Sequence, residues 1–354
     1  MKQSFFMDKL IRFTSSCLSK ITNYRSGEVK FGEKMTVIPK DADIIPFLVS
    51  CEQQFVLFGI PEDIGVRANY GRPGTNSAWE SAIKSIANIQ HNRFNKGSQI
   101  VVLGHLDASV EMLEVQNLDF NKTEDRKKMS ELVVKIDKEV AHIITQIIKA
   151  GKTPIIIGGG HNNAYGNIKG TALAKGKPIN AINFDAHSDF RILEGRHSGN
   201  GFSYAFEEGF LKKYFIFGLH ESYTSKSVLT ELKKLQERVQ FNTYDEVNIR
   251  KEKSFENELL YAKNFINNDF FGIEIDLDAI PNIPSSAMTL SGFSVEELRR
   301  FIYFFGKNEN ATYLHICEGA PSLDNDKNNH LVGKLIGYLV TDFIKAKTSL
   351  IEVV

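Results

Sequence analysis

Short apolar runs alternate with longer amphipathic stretches along most of the chain. The runs are rich in β-branched and aromatic residues. They predict β-strands at residues 54–59, 99–104, 153–157, 179–185, 214–219, 271–277 and 312–317, with a weaker strand near 238–243. Between the runs lie helical patterns such as 126–149, where apolar residues recur at helical spacing. Strands that are apolar on both faces and alternate with helices predict a mostly parallel sheet covered on both sides.

This pattern predicts an α/β fold of three layers, αβα, around a sheet of about eight strands. A single α/β domain can reach this length and bury a large core. We therefore expect one catalytic domain over residues 51–354, preceded by an accessory N-terminal extension at residues 1–50.

Composition excludes several classes of partner. Lys+Arg and Asp+Glu are equal at 43 each, so no net charge favours nucleic acid or an anionic membrane surface. No apolar stretch approaches the ~20 residues that span a bilayer. The three cysteines are an odd number without a close pair, which argues against a disulfide framework and suits the reducing cytoplasm.

The clearest chemical signal is the segment "INFDAHSDFR" at residues 182–191, where a buried strand ends. Asp185, His187 and Asp189 occupy alternate positions, and alternate side chains of an extended segment point to the same side. Burying two acids together is costly unless a positive charge lies between them. The spacing therefore predicts a bound cation.

Three further strand ends carry potential ligands. "GGGHNNAYG" presents His161, "GIEIDLDAIP" places Asp276 and Asp278 on one side with Glu274 one step earlier, and "HICEGAPSLD" offers Glu318. Taken singly, each is more ordinarily a loop residue, a solvated strand end or a surface acid. "GGG" could also cradle a phosphate, but no GKS/T or GxGxxG pattern follows it.

Together, these segments supply two histidines and four aspartates at the ends of adjacent parallel strands. That is more than one cation needs, and carboxylate-rich sites with a minority of imidazoles suit Mn²⁺. Two ions that share carboxylates could activate a water molecule between them. The residues therefore favour a binuclear metal hydrolase.

The set "GGGH", "NFDAHSDFR" and "EIDLDAIP" resembles the ureohydrolase family of arginases, agmatinases and formimidoylglutamases. The segment "GIPEDIGVRANYGRPGTNSAWESAI" is also similar, and the resemblance covers about residues 50–350. It implies two Mn²⁺ ions per subunit and a homo-oligomer, a trimer or hexamer. One ion would be held by His161, Asp185, Asp189 and Asp276, and the other by His187, Asp185, Asp276 and Asp278, with Asp185 and Asp276 bridging.

Two details resemble the formimidoylglutamase branch more than the guanidine hydrolases. Gly160 stands before His161, and Ser198-Gly199 stands where guanidine hydrolases have a His-Gly pair, in a segment "SGNGF". The resemblance implies hydrolysis of N-formimidoyl-L-glutamate to L-glutamate and formamide, a reaction of histidine degradation.

The resemblance also suggests roles around the metal ions. Asp189 would relay a proton, Glu318 would face the cationic amidine, and Ser198 would hydrogen-bond the substrate, while His197 should face away unless the loop turns sharply at Gly199. The candidate catalytic residues are Asp189, Glu318, Ser198 and His197, and the candidate substrate-binding residues are Arg72, Arg196, Asn200 and Glu318.

Three other functions remain open at this point. The nearest is a guanidine hydrolase such as an arginase, agmatinase or guanidinobutyrase. A catalytically silent metal-binding scaffold has little reason to retain six converging ligands. A metallophosphoesterase is disfavoured because the motifs lack an Asn/His-rich ligand pattern.

Overall fold

A computed structural model describes residues 8–324 and 330–349. Its strands are β1 (Leu10–Arg12), β2 (Thr36–Val37), β3 (Phe55–Gly59), β4 (Ile100–Leu106), β5 (Thr153–Ile157), β6 (Ile179–Phe184), β7 (Leu211–Leu219), β8 (Val239–Thr243), β9 (Phe271–Asp276) and β10 (Ala311–Cys317). Its α-helices are α1 (Ser15–Ile21), α2 (Ile44–Ser50), α3 (Ile64–Ala68), α4 (Ala78–Ala87), α5 (Ser109–Val115), α6 (Thr123–Lys149), α7 (Asn163–Lys175), α8 (Gly201–Glu207), α9 (Lys226–Lys234), α10 (Phe255–Ile266), α11 (Val295–Gly306) and α12 (Leu331–Thr348).

All ten strands form one sheet. The order is β1-β4-β3-β5-β10-β9-β6-β7-β8, and β2 pairs with β4 beside this path. The pairing of β1 with β4 is antiparallel, and the other pairings are parallel. The mostly parallel sheet predicted from the apolar runs is thereby confirmed, with two strands more than expected.

The two additional strands, β1 and β2, come from the N-terminal extension. They contain three and two residues, too few to show a period in the sequence. Both pair with β4 in the common sheet.

Alternate residues of each strand enter two separate cores, one on each face of the sheet. In β3, Phe55 and Leu57 join a core with helices α4, α10, α11 and α12. Val56 and Phe58 join the opposite core with α3, α6, α7 and α8. This confirms the three-layer architecture. Across residues 8–324 and 330–349, every helix is too short or too polar to cross a bilayer.

The predicted ligand segments follow four strands that are neighbours in the centre of the sheet, in the order β5-β10-β9-β6. Because these strands are parallel, their carboxyl ends lie at one edge. This is the edge at which open α/β sheets bind ligands.

Candidate metal centre

The loop after β5 turns sharply to present His161. Gly158 and Gly159 have φ values of 92° and 76°, a region that side chains with a Cβ rarely adopt. The backbone N–H of Gly160 donates to Glu62 Oε1 at 3.1 Å, and that of His161 donates to Glu318 Oε1 at 2.7 Å. The imidazole of His161 is thus fixed at full burial.

Three carboxylates surround Nδ1 of His161. Asp189 Oδ2 lies 2.8 Å from this nitrogen, Asp185 Oδ2 3.2 Å and Asp276 Oδ2 3.3 Å. One ligand atom from each of these four residues falls within 4.8 Å of the others. The structure therefore brings together the complete set predicted for the first ion.

A second group adjoins the first. His187 Nδ1 lies 3.2 Å from Asp278 Oδ2 and 3.6 Å from Asp185 Oδ1. Asp185 belongs to both groups and offers a different oxygen to each histidine, as a bridging ligand would. Asp276 belongs to the first group alone by this measure, so its bridging role stays a prediction.

The donors fit a pair of divalent cations. Buried polar atoms are normally paired, yet His161 Nδ1, His161 Nε2 and Asp278 Oδ1 are buried without a hydrogen-bond partner. Three buried aspartates and the partly buried Asp189 meet here, and the cations within ion-pair distance of them are the two histidines. Oxygen-rich donors with two imidazole nitrogens suit Mn²⁺ better than structural zinc.

Crowding among the acids shifts their pKa values. Burial and the charge of Asp185 raise the pKa of Asp189 to about 6. Burial and the charges of Asp278 and Asp185 raise the pKa of Asp276 well above its ordinary range. Burial also raises the pKa of Asp185, but the adjacent imidazoles of His161 and His187 outweigh this effect and hold the pKa low. Bound cations would relieve this repulsion.

Two residues of the site have strained backbones. Asp189 has φ of 44° and Glu318 of 61°, in the left-handed region that is unfavourable for residues other than glycine. Glu318 Oε2 accepts a hydrogen bond from Ser286 Oγ. Burial and the charge of Asp278 raise the pKa of Glu318 to about 8.

A cavity of about 640 Å³ opens onto these residues. His187, Asp189, Asp276, Asp278 and Glu318 lie at its floor, and the aromatic ring of Tyr223 stacks on His187 at 5.4 Å between ring centroids.

The sequence-predicted residues Ser198 and Arg72 also line this cavity. The Ser198 hydroxyl accepts a hydrogen bond from Asn69 at 3.1 Å. The exposed guanidinium of Arg72 donates to the carbonyl of Ser285 at 3.1 Å.

The structure does not bring Arg196, Asn200 or His197 to the cavity. Arg196 is buried in a two-bonded ion pair with Asp137, at 2.9 and 3.1 Å, and its third nitrogen donates to Asn200 Oδ1. The geometry thus corrects the expectation of direct substrate contact for Arg196 and Asn200. Their polar atoms bond each other and Asp137 on the side of the loop away from the cavity.

His197 is likewise turned inward. Its Nδ1 accepts from the N–H of Gly199 at 3.1 Å, and its Nε2 lies 3.3 Å from Glu194 Oε1. Burial and the charge of Arg191 lower the pKa of His197 to about 4. In this position it caps a short 3₁₀ turn, Ser198–Asn200.

Two residues of the site escaped the sequence reasoning. Arg191 lies on the cavity wall, with Nη1 donating to Asn69 Oδ1 and Nη2 to Glu194 Oε1, both at 2.7 Å. Its signal was available, since it stands two positions after Asp189. Glu62 has no such signal, because its role depends on the separate loop at residues 158–163 that it organises.

A family model described as the arginase family matches residues 53–341. The chain belongs to this family. A formimidoylglutamase of Streptococcus pyogenes (serotype M3, strain ATCC BAA-595 / MGAS315) is 30% identical over 203 residues, which are 54% of this chain and 54% of that protein. The chain therefore matches about half the length of its curated family relatives.

Solved structures of the family support the fold. The formimidoylglutamase of Bacillus subtilis superimposes with a TM-score of 0.73 at 17% identity, covering 93% of this chain and 95% of that one. A Trypanosoma cruzi formiminoglutamase, solved with Mn²⁺, gives 0.67 at 19% identity, covering 86% and 98%. At these identities the likeness establishes an arginase-like fold.

Proposed function

We propose that the protein is a binuclear manganese hydrolase of linear amidines. Its substrate would be N-formimidoyl-L-glutamate, which with one water gives L-glutamate and formamide. The observation that carries the proposal is the convergence of two histidines and four aspartates at one edge of the sheet, where four of these six residues line one cavity. The names of the similar proteins support the choice of substrate.

The residues that would hold the two ions are His161, Asp185, His187, Asp189, Asp276 and Asp278. When bound, such a pair would supply charge neutralisation and activation of water for attack on the amidine carbon.

Two acids are placed to handle protons and charge. Asp189 belongs to the first ligand group and also lines the cavity. A carboxyl with a pKa of about 6 can accept a proton from water and pass it to the leaving nitrogen. Glu318 is held by the His161 N–H and the Ser286 hydroxyl. Bound cations would lower the pKa of Glu318, and its carboxylate could then stabilise the cationic amidine.

The cavity wall supports a substrate with two carboxylates. Arg72 and Arg191 both line the cavity, and guanidinium groups bind carboxylates through two parallel hydrogen bonds. Ser198 adds a hydroxyl to the lining of the same cavity. A guanidine hydrolase, the nearest alternative, must protonate a strongly basic leaving group. His197 points away from the cavity and is therefore not placed to carry that proton, which disfavours this alternative.

The remaining expectations belong to this proposal. We place the reaction in the cytoplasm, because all three cysteines are free thiols and suit a reducing compartment. We place it in histidine degradation because of the proposed substrate. A trimer or hexamer stays a prediction from the family resemblance.

The test is a substrate panel with Mn²⁺-loaded protein. Formimidoylglutamate, arginine, agmatine and guanidinobutyrate would be compared by release of formamide or urea, with Asp185→Ala protein as the control. We expect kcat/KM for formimidoylglutamate to exceed that for agmatine by at least ~10²-fold, because agmatine leaves the arginines unpaired. Faster turnover of arginine or agmatine would identify a guanidine hydrolase, and no release from the Mn²⁺-loaded protein would favour a scaffold.

A further inference from the structure

A charged network is buried beneath His161, inside the sheet. Glu274 in β9 faces His315 in β10 as its register partner, and Tyr313 lies two positions earlier on β10. Tyr313 Oη donates to Glu274 Oε1 at 2.7 Å, and His315 Nδ1 lies 2.5 Å from Glu274 Oε2. All three side chains are 0% exposed.

A carboxylate at this depth needs a reason. The neighbours of Glu274 in the strand, Ile273 and Ile275, are ordinary core residues, and replacing a buried ionic group by apolar residues is often neutral or stabilising. The network also lies outside the cavity, so it cannot contact the substrate. Its value must come from what it holds in place.

The group above it is the imidazole of His161. Nε2 of His161 lies 3.6 Å from Glu274 Oε2 and has no hydrogen-bond partner. Nδ1, on the other side of the ring, faces the three aspartates of the first metal group. A shift of about half an ångström would bring Nε2 within hydrogen-bond range of the carboxylate.

We propose that Glu274 is a positioning residue for His161. Its carboxylate holds the proton of the ring on Nε2, which leaves the lone pair of Nδ1 free for the first metal ion. His315 and Tyr313 fix the two oxygens of Glu274 so that the carboxylate keeps its aim. The bond made by one ring nitrogen sets which nitrogen binds metal. The inference rests on the proposed metal pair, and it adds a residue to the support of that pair.

The experiment is a Mn²⁺ titration without substrate, by calorimetry and equilibrium dialysis. Glu274→Gln should weaken the affinity for one of the two Mn²⁺ ions by about 10–100-fold, the usual cost of removing a partner of a metal-binding histidine. The affinity for the other ion should change by less than about threefold. Glu258→Gln is the matched control, because it neutralises another buried carboxylate, which bonds Asn242 and lies outside this network and the cavity. We expect it to change either affinity by no more than about threefold.

A double-mutant cycle separates positioning from a general loss of charge. In His161→Ala protein, Glu274→Gln should weaken the affinity for the remaining ion by no more than about twofold, because the residue through which Glu274 acts is absent. Equal weakening of both ions, no weakening of either, or a full loss in the His161→Ala background would overturn the proposal.

A measurement on the unaltered protein covers the case in which Glu274→Gln does not fold. In ¹⁵N NMR of the Zn²⁺-loaded protein, we expect His161 to carry its proton on Nε2 and the metal on Nδ1. A proton on Nδ1 would overturn the inference. Two bound Mn²⁺ ions without amidine turnover would refute the proposed function and leave this inference standing, whereas wild-type protein that binds no Mn²⁺ would refute both.

Discussion

Under the proposed function, Arg191 should bind a substrate carboxylate from the cavity wall. Asn69 and Glu194 hold its guanidinium on the cavity wall, and a charge-assisted hydrogen bond contributes about 1.5–3 kcal/mol. We expect Arg191→Ala to raise KM for formimidoylglutamate by roughly 10–100-fold with little change in kcat. Arg191→Lys should rescue it poorly, since lysine lacks the planar fork.

The control for this prediction is Arg300→Ala. Arg300 pairs with Glu256 on the exposed surface and does not line the cavity, so steady-state kinetics should be unchanged. An Arg191→Ala protein with normal KM and reduced kcat would contradict a role in binding the carboxylates.

Glu318 should make the stability of the metal-free protein depend on pH. Its pKa is about 8 when folded and 4.5 ordinarily, so between these values the folded state holds a proton that the unfolded state has lost. Stability therefore falls as pH rises through this window. Glu318→Gln, which stays neutral, should lose less stability between pH 5 and 8 than wild type does, by on the order of 1–3 kcal/mol.

Urea unfolding in EDTA at several pH values measures this difference. Other acids of the site remain in both proteins, so the comparison isolates Glu318. Identical pH profiles for the two proteins would show that its carboxyl is not held neutral in the metal-free fold.

At the residue scale, sequence reasoning worked where ligands sit at regular spacing. The alternation of Asp185, His187 and Asp189 predicted all three as ligands, and the structure brings them to the site, although through a turn in which Asp189 has φ of 44° and not through an extended segment. The reasoning did less well for Arg196, because an arginine in a loop gives no sign of which acid it meets. Its partner, Asp137, lies 59 positions away on α6.

At the scale of elements, the apolar pattern located every strand that carries the site. Runs such as β5 and β6 are apolar on both faces, and that continuity distinguishes a central parallel strand. The end of β6 came one residue early, since Asp185 belongs to the turn that follows. β1 and β2 could not be predicted, because their place depends on the edge that β4 offers them and not on their own composition.

The contact between α6 and the cavity loop should behave as a unit. Asp137 and Arg196 are 3% and 4% exposed, and removing one member of a buried ion pair costs about 3–5 kcal/mol. We expect Asp137→Leu and Arg196→Met each to lower the free energy of unfolding by that amount. Asp137→Leu combined with Arg196→Met should cost less than either single change, because no charge is left unpaired.

Denaturant unfolding of the two single variants and the double variant tests this coupling. Losses that simply add in the double variant would mean that the two side chains stabilise the loop independently.

At the scale of the whole molecule, the net charge gives no indication of the acidic site. The chain has no net charge, yet three of the four central strands bring five acids to one edge of the sheet. The three-layer fold makes this possible, because the helices bury both faces and leave the carboxyl edge open. Composition alone could therefore not reveal the concentration of acids.

The most direct test of the account is anomalous diffraction at the manganese edge from Mn²⁺-loaded crystals. We predict two peaks about 3.5–4 Å apart, one against His161 and the other against His187, with Asp185 and Asp276 between them. A single peak, or peaks away from these residues, would contradict the binuclear centre on which the proposed hydrolysis depends.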